Sequence, residues 1–269
     1  MEQKTKIIVC GAAGKMGSLI IQLALAQKDK FIVEAGIECK GHPLVGKLNQ
    51  QGVPISDSLL EVISGDEVVI DFSISESAID HLKICIDKKA PFVTGITGFS
   101  KDQFSYLKEA SSHIPVFYSP NMSIGVNLFL EIIRFSAALL KEYEIEISEV
   151  HHNLKKDAPS GTAKKMADII CQVFKRDPEK VVRYGREGIT GPRPFEEIGI
   201  HSLRLGDIVG EHYIYFGGKG EIIEISHRCY NREAFASGAL KAASFLKNKP
   251  AGFYNMQNMI KEAIDVRVK

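Results

Sequence analysis

IIVCGAAGKMGSLI, residues 7–20, decides how the first half of this chain is read. An apolar run ends at Cys10, Gly11, Gly14 and Gly17 follow, and an apolar-periodic stretch begins beside the last two. That order is strand, tight turn, helix. Glycine lets the turn be tight and lets backbone N–H groups approach a diphosphate, and a helix N-terminus adds partial positive charge. The spacing is G-x-x-G-x-x-G, a variant of the commoner G-x-G-x-x-G, so the context carries as much of the argument as the glycines. A glycine-rich turn that binds nothing is the plain alternative, and the context favours a dinucleotide.

Outward from that turn, strands expected at 6–10, 31–38, 68–72, 91–94 and 116–118 alternate with helices expected at 15–28, 58–63, 75–88 and 101–111. Strands separated by helices point to βαβ units with right-handed crossovers. The expected class is α/β, a Rossmann-like doubly wound parallel sheet. The second strand ends at Glu38, 21 residues past Gly17, where an acid would hydrogen-bond the adenosine ribose hydroxyls. A solvated surface glutamate is the alternative. Cys39 follows, where an arginine would favour a 2′-phosphate, and Lys40 compensates in part; the charge pattern leans towards NADH and leaves NADPH open. The loops TGITGF (94–99) and SPNMS (119–123) follow later strands, and ligands of open α/β sheets lie beyond such strand ends. Plain connectors are the competing reading of both loops.

The pattern then changes. A long apolar helix is expected at 124–143, and EIEISEV, 144–150, alternates with the period of a half-buried strand. Ala163, Met166, Ala167, Ile170, Val173 and Phe174 form a helical stripe. Strands are expected at 198–203, 212–216 and 222–227, the last two joined by a tight FGGKGE hairpin. This reads as an inserted α+β unit with a mixed open sheet over 123–231. Helices at 232–246 and 256–264 return to complete a dinucleotide-binding unit of 1–122 and 232–269.

Composition narrows the partners. Of 269 residues, 45% are apolar and 25% charged, and the net charge is +1, so no strong field draws nucleic acid or a membrane. Five scattered cysteines form no C-x-x-C pair, which speaks against a zinc knuckle or a redox dithiol and for reduced thiols. No signal-like apolar stretch opens the sequence, and a cytoplasmic protein is expected.

The densest chemistry is EVHHNLKKDAPSGTA, 149–163. On a strand His151 and His152 would face opposite sides, so a shared ligand requires the backbone to turn there. Lys155 and Lys156 are cationic donors, and Gly161 and Thr162 stand at a helix start whose free N–H groups accept an anion. The set could hold one carboxylate on amides and a second on lysine, and protonate with histidine. Surface histidines, with Asp157 and Ser160 as mere helix caps, are the alternative. No nucleophile elbow surrounds Ser160 and no metal-ligand spacing occurs, so no metal is expected.

That block resembles the signature of the dihydrodipicolinate reductase family, which acts in lysine and diaminopimelate biosynthesis. CGAAGKMG, IDFS, TGITGF, SPNMSIGVN, REGITGPR and LRLGDIVGEHYIYF are similar to the family's other blocks, in order, so the resemblance spans nearly the whole chain. Some members have arginine where Cys39 stands, and many have proline where Ser75 stands. The resemblance implies NADH- or NADPH-dependent reduction of 4-hydroxy-tetrahydrodipicolinate, a cyclic dicarboxylate, to tetrahydrodipicolinate. It implies His151 as proton donor and acceptor, Lys155 as a second proton donor, and His152, Gly161 and Thr162 as carboxylate binders. It places Thr97 where substrate meets nicotinamide. Gly11, Ala12, Ala13, Gly14, Lys15, Met16, Glu38, Gly95, Ile96, Thr97, Ser119, Pro120, Asn121 and Met122 are implied to bind the dinucleotide. It also implies a homotetramer that buries the open sheet face of the inserted unit. The rivals are another dehydrogenase of a small carboxylic acid, whose usual catalytic cysteine setting is absent, and a dinucleotide sensor, which needs no proton donor.

Overall fold

Residues 3–267 are described by the structure, a computed structural model. β1 (Thr5–Cys10) is buried along almost all its length and runs through the glycine turn into α1 (Lys15–Leu25). The helix ends before the expected 28 because its apolar stripe ends there. Gln27 Nε2 donates to the Leu23 carbonyl at 3.2 Å, and the chain coils into turns. β2 (Phe31–Ile37), β3 (Ile55–Ser56), α2 (Leu59–Val62), β4 (Val68–Asp71), α3 (Ser75–Lys88), β5 (Phe92–Thr94), α4 (Lys101–Ala110) and β6 (Pro115–Tyr118) complete the alternation. α4 starts in a capping box, with Ser100 Oγ accepting from the Gln103 amide while the Gln103 side chain accepts from the Ser100 amide.

The middle of the chain holds α5 (Ile124–Leu139), β7 (Glu144–His151), α6 (Gly161–Phe174), α7 (Pro178–Val181), β8 (Val182–Tyr184), β9 (Ile198–Arg204), β10 (Gly210–Gly218) and β11 (Glu221–Cys229). α8 (Glu233–Leu246), β12 (Gly252–Tyr254) and α9 (Met256–Arg267) close the chain. Two compact units result. One runs up to Ile124 and resumes at Glu233; the other is Gly125–Arg232.

In the first unit all strands are parallel, in the order β12-β6-β5-β4-β1-β2-β3. Read from β3, this is the doubly wound order, and its direction of winding reverses between β1 and β4. Alternate residues of β1 serve opposite faces. Ile7 and Val9 join a core with Ile20, Ile21, Ala239 and Leu240, whereas Ile8 and Cys10 join one with Leu82, Leu107 and Phe92. The edge strands β3 and β12 were not expected. With two and three residues they are too short to show a period.

The second unit has the sheet β11-β10-β7-β9-β8, antiparallel across β11, β10 and β7 and parallel across β7, β9 and β8. Its covered face buries Ile145, Ile147, Ile214 and Phe216 against Phe129 and Ile133 of α5 and Met166 and Ile170 of α6. The other face carries polar residues such as Glu146, which accepts from Arg186 and His201. The hairpin forms as read, with Gly218 paired to Glu221 across Lys219 and Gly220. α5 stops at Leu139, short of the expected 143. α7 and β8 are additions to the reading, and α7 has a legible start, since Asp177 caps it and Pro178 follows.

Candidate active site

In the first unit the glycine turn is shaped by close approach. A Cβ built on Gly17 would stand 2.1 Å from the Gly11 carbonyl oxygen. The amides of Gly11 and Ala12 donate to the Ile37 carbonyl at 2.9 and 3.2 Å, which fixes the turn against the end of β2. α1 has Gly14 as N-cap, no side-chain cap and no acid in its first turn, so its leading amides face outward as anion donors. Glu38 reaches back to the turn, its Oε1 accepting from the Ala13 amide at 2.6 Å. Gly11, Ala13, Gly14 and Glu38 share a cavity of about 700 Å³. A turn with no room for a side chain at Gly17, the leading amides of α1 behind it and an acid at the rim fit the diphosphate and ribose of a dinucleotide.

Other candidates lie along the same strand ends. Gly95 follows β5, Ile96 is buried with its amide on Thr94 Oγ1 at 3.3 Å, and Thr97 is exposed. The Ser119 amide donates to the Thr94 carbonyl at 3.2 Å, its hydroxyl to the Asn121 carbonyl at 2.7 Å, and Met122 is buried in the core. None of residues 95–97 or 119–122 lines the 700 Å³ cavity, whose far wall is instead formed by Phe72, Ser73, Ile74, Ser77 and His81. Lys15 is exposed and Met16 is packed on the core.

His81 is one residue the sequence reasoning missed. Its Nδ1 lies 2.7 Å from Oδ2 of the fully buried Asp71, whose Oδ1 accepts from the amide and hydroxyl of Ser73 at 2.9 and 2.6 Å. Cys10, Asp71 and His81 bring their ligand atoms within 4.8 Å of one another, a metal-like spacing. Both Asp71 oxygens are already occupied, and burial, with the Asp71 charge, pushes the Cys10 thiol well up. The trio is therefore a hydrogen-bonded cluster.

In the second unit, β7 ends at His151 and the backbone turns there. The His152 amide donates to the Ile208 carbonyl at 2.7 Å and the Leu205 amide to the His151 carbonyl at 3.0 Å. His151 and Glu149 stand on one strand face, two residues apart, with His151 Nδ1 2.6 Å from Glu149 Oε2. Glu149 is 0% exposed. Arg204, at the end of β9, donates to both its oxygens at 2.9 and 2.8 Å, and the Ser160 amide adds a bond at 3.1 Å. Burial alone would raise the Glu149 carboxyl, but hydrogen bonds from His151, Arg204, Ser202 and Ser160 outweigh it and hold the group well below the usual carboxylate range. The His212 ring, on β10, lies 5.3 Å from that of His151, and its Nε2 is 3.2 Å from Ser160 Oγ. Burial, then the charges of His151 and His227, push His212 down to about 3, so it is neutral near pH 7.

Lys155 Nζ donates to Asp157 Oδ1 at 2.8 Å, which together with other contacts lowers the Asp157 carboxyl. Ser160 caps α6 through the Ala163 amide at 3.2 Å, as read, whereas Asp157 caps nothing and pairs with lysine. Gly161 and Thr162 open α6, whose first turn holds no acid. His152 keeps a buried Nδ1 without a hydrogen-bond partner. Lys156 is exposed. The structure thus gathers His151, Lys155 and the α6 start around Glu149, Arg204 and His212, which the sequence reading did not select. Glu149 was legible as an acid on the buried face of a period-two strand. Arg204 and His212 become neighbours only through the register of β9 and β10.

Two family models match the chain. One is described as dihydrodipicolinate reductase, N-terminus, over residues 5–122, and the other as dihydrodipicolinate reductase, C-terminus, over residues 125–260. The chain is similar to the 4-hydroxy-tetrahydrodipicolinate reductase of Geobacter sulfurreducens, 43% identical over 264 residues covering 95% of this chain and 98% of the relative. The enzyme of the same name from Geotalea uraniireducens is 41% identical over 263 residues, covering 95% and 98%. A solved dipicolinate-bound dihydrodipicolinate reductase from Paenisporosarcina sp. TG-14 superposes with a TM-score of 0.76 at 25% identity, over 94% of this chain and 98% of that one.

Proposed function

The chain belongs to the dihydrodipicolinate reductase family, and on that premise we propose that it reduces 4-hydroxy-tetrahydrodipicolinate to tetrahydrodipicolinate in lysine and diaminopimelate biosynthesis. Gly11, Ala12, Ala13, Gly14, Lys15 and Met16 would hold the diphosphate of NADH or NADPH, Glu38 the adenosine ribose, and residues 95–97 and 119–122 the nicotinamide half. When bound, the reduced nicotinamide supplies a hydride. The chain's own residues supply grip and protons. The α6 amides at Gly161 and Thr162 donate to one substrate carboxylate, and Lys155 and His152 counter the other. Thr97 is a further proposed substrate-binding residue. His151 gives up its proton at Nε2, because its Nδ1 is engaged with Glu149, and Lys155 serves as a second donor at Nζ.

One observation carries this reading: His151, His152 and Lys155 stand at a strand end directly before a helix start without an acid in its first turn. Cations, an acid–base imidazole and free amides suit a small dicarboxylate. The dipicolinate in the Paenisporosarcina relative is such a compound. The proposed assembly is a homotetramer through the polar sheet face, in the cytoplasm, and light scattering of the purified chain tests the assembly. The activity test follows NADH and NADPH oxidation with freshly generated cyclic substrate. His151→Gln lowers kcat about 10²–10⁴-fold and leaves nucleotide affinity unchanged. Lys155→Ala lowers kcat and raises KM. Parent-level turnover by both variants would remove these residues from the mechanism.

A further inference from the structure

Glu149 is placed unlike an ordinary half-buried acid. It is fully buried, and its two oxygens accept from Arg204 Nη1 and Nη2, the Ser160 amide and His151 Nδ1. Ser202, its register partner on β9, adds a further hydrogen bond. A buried ion pair of this kind is weak support for stability, since apolar residues of similar volume serve as well. Its cost is better explained by what it does to the imidazole.

We propose that Glu149, clamped by Arg204, is a positioning residue that fixes the proton of His151 on Nδ1 and leaves Nε2 as the nitrogen that gives and regains the catalytic proton. The inference rests on the assignment of His151 as proton donor. A carboxylate held ionised by this many donors can only accept, so the facing nitrogen carries hydrogen in both protonation states. The transferred proton leaves from Nε2, the neutral ring keeps Nδ1–H, and solvent returns the proton to Nε2. The Nε2 side keeps room only because residue 210 is glycine: a Cβ built there would stand 2.9 Å from Nε2. The neighbouring His212 is neutral near pH 7, so it adds no charge beside the ring. Arg204 also donates to the Asp157 carbonyl at 2.8 Å, so the same guanidinium ties down the segment that carries Lys155.

Glu149→Gln tests this directly. Oε1 faces two donors that cannot switch, Arg204 Nη2 and the Ser160 amide, whereas Oε2 faces Arg204 Nη1 and His151 Nδ1, of which the imidazole can become an acceptor; the glutamine NH2 therefore takes the Oε2 position and turns Nδ1 into an acceptor. In the full chain labelled with ¹⁵N-histidine, and with the His151 signals identified by their loss in His151→Gln, the parent should show protonated Nδ1 in the neutral ring. Glu149→Gln should move the proton to Nε2, and Arg204→Lys, which keeps the charge and loses the fork, should give a mixture. Kinetically, Glu149→Gln should lower kcat about 10–100-fold with nucleotide KM unchanged. Glu149→Asp should recover part of the rate, and adding Glu149→Gln to His151→Gln should cost nothing further. An unchanged tautomer in Glu149→Gln, or a kcat loss that adds in full to that of His151→Gln, overturns the proposal. If His151→Gln alone keeps the parent rate, the donor assignment fails on its own, while the ring signals still report whether Glu149 sets the tautomer.

Discussion

Each unit backs an imidazole with a buried carboxylate, but the two pairs are built differently. In the nucleotide-binding unit Asp71 at the end of β4 holds His81 from the middle of α3, and its other partners are the neutral Ser73 and Cys10. In the second unit Glu149 and His151 share one strand, and the other partners include the cation Arg204. The candidate site of the first unit is built of backbone: the start of α1 behind a glycine turn, with a side chain excluded at Gly17. The second presents side chains, and so it invests a fully buried charge in aiming one of them. Backbone recognition needs room, whereas proton transfer needs a fixed atom.

The contrast breaks most sharply at two glycines. Gly17→Ala puts a methyl 2.1 Å from a carbonyl inside the turn, where no flexible group can yield. The expected result is loss of NADH binding in a fluorescence titration and a stability loss of about 1–3 kcal/mol or more by denaturant unfolding. Gly210→Ala crowds His151 Nε2, which Glu149 prevents from swinging away. Here nucleotide affinity should hold while kcat falls about 10²-fold, the scale of a roughly 1 Å misplacement. If Gly210→Ala weakened NADH binding and spared kcat, the division between the units would be wrong.

Smaller effects sharpen it. Glu38→Ala should weaken NADH about tenfold, the range of a charge-assisted hydrogen bond, and NADPH less, as read by their separate KM values. Equal losses would remove Glu38 from the ribose site. Stability should also report the buried histidine of the second unit. His212 titrates at about 3 when folded and near 6.5 when unfolded, so the unfolded chain binds the extra proton between those values. Its contribution is fully present above pH 6.5 and is lost as the pH falls towards 3, by up to about 1.4 kcal/mol per unit. Glu149, whose carboxyl is also lowered, adds a loss with the same sign below the usual carboxylate range. Thermal melts of His212→Gln across that window should show a shallower acid slope than the parent.

The same contrast explains what could be read from the sequence. The nucleotide turn was legible because glycine spacing is local: Gly11, Gly14, Gly17 and Glu38 lie within one βαβ unit. The β5 and β6 loops were located by their strand ends. His81 was not legible, since one histidine in a polar helix gains meaning only when Asp71 is opposite. In the second unit His151 and Lys155 announced themselves by density. Glu149 stands beside them on the apolar phase of its strand without a local sign of its partners, and Arg204 stands 55 residues away, joined through the parallel β7–β9 register. Short edge strands such as β12 carry no period and depend on the sheet already present.

The smallest effect concerns Lys155. Its ammonium donates to Asp157, a side chain 59% exposed, and such a pair is worth about 0.2–1 kcal/mol. If Lys155 grips a substrate carboxylate, Asp157 competes for the same donor. Asp157→Asn should therefore lower substrate KM by less than about fivefold, the factor set by that energy. kcat should not change through His151, because His151 and its partners Glu149 and Arg204 make no contact with the Asp157 carboxylate; Arg204 reaches only its backbone carbonyl, and any change in kcat would come through Lys155, the proposed second donor. A raised KM would mean the opposite role, in which Asp157 orients the lysine towards substrate. Raising the ionic strength separates the two further. An exposed ion pair weakens with salt, so the parent and Asp157→Asn curves should converge as ionic strength rises, with the parent KM falling towards the variant's if Asp157 competes and rising towards it if Asp157 orients the lysine.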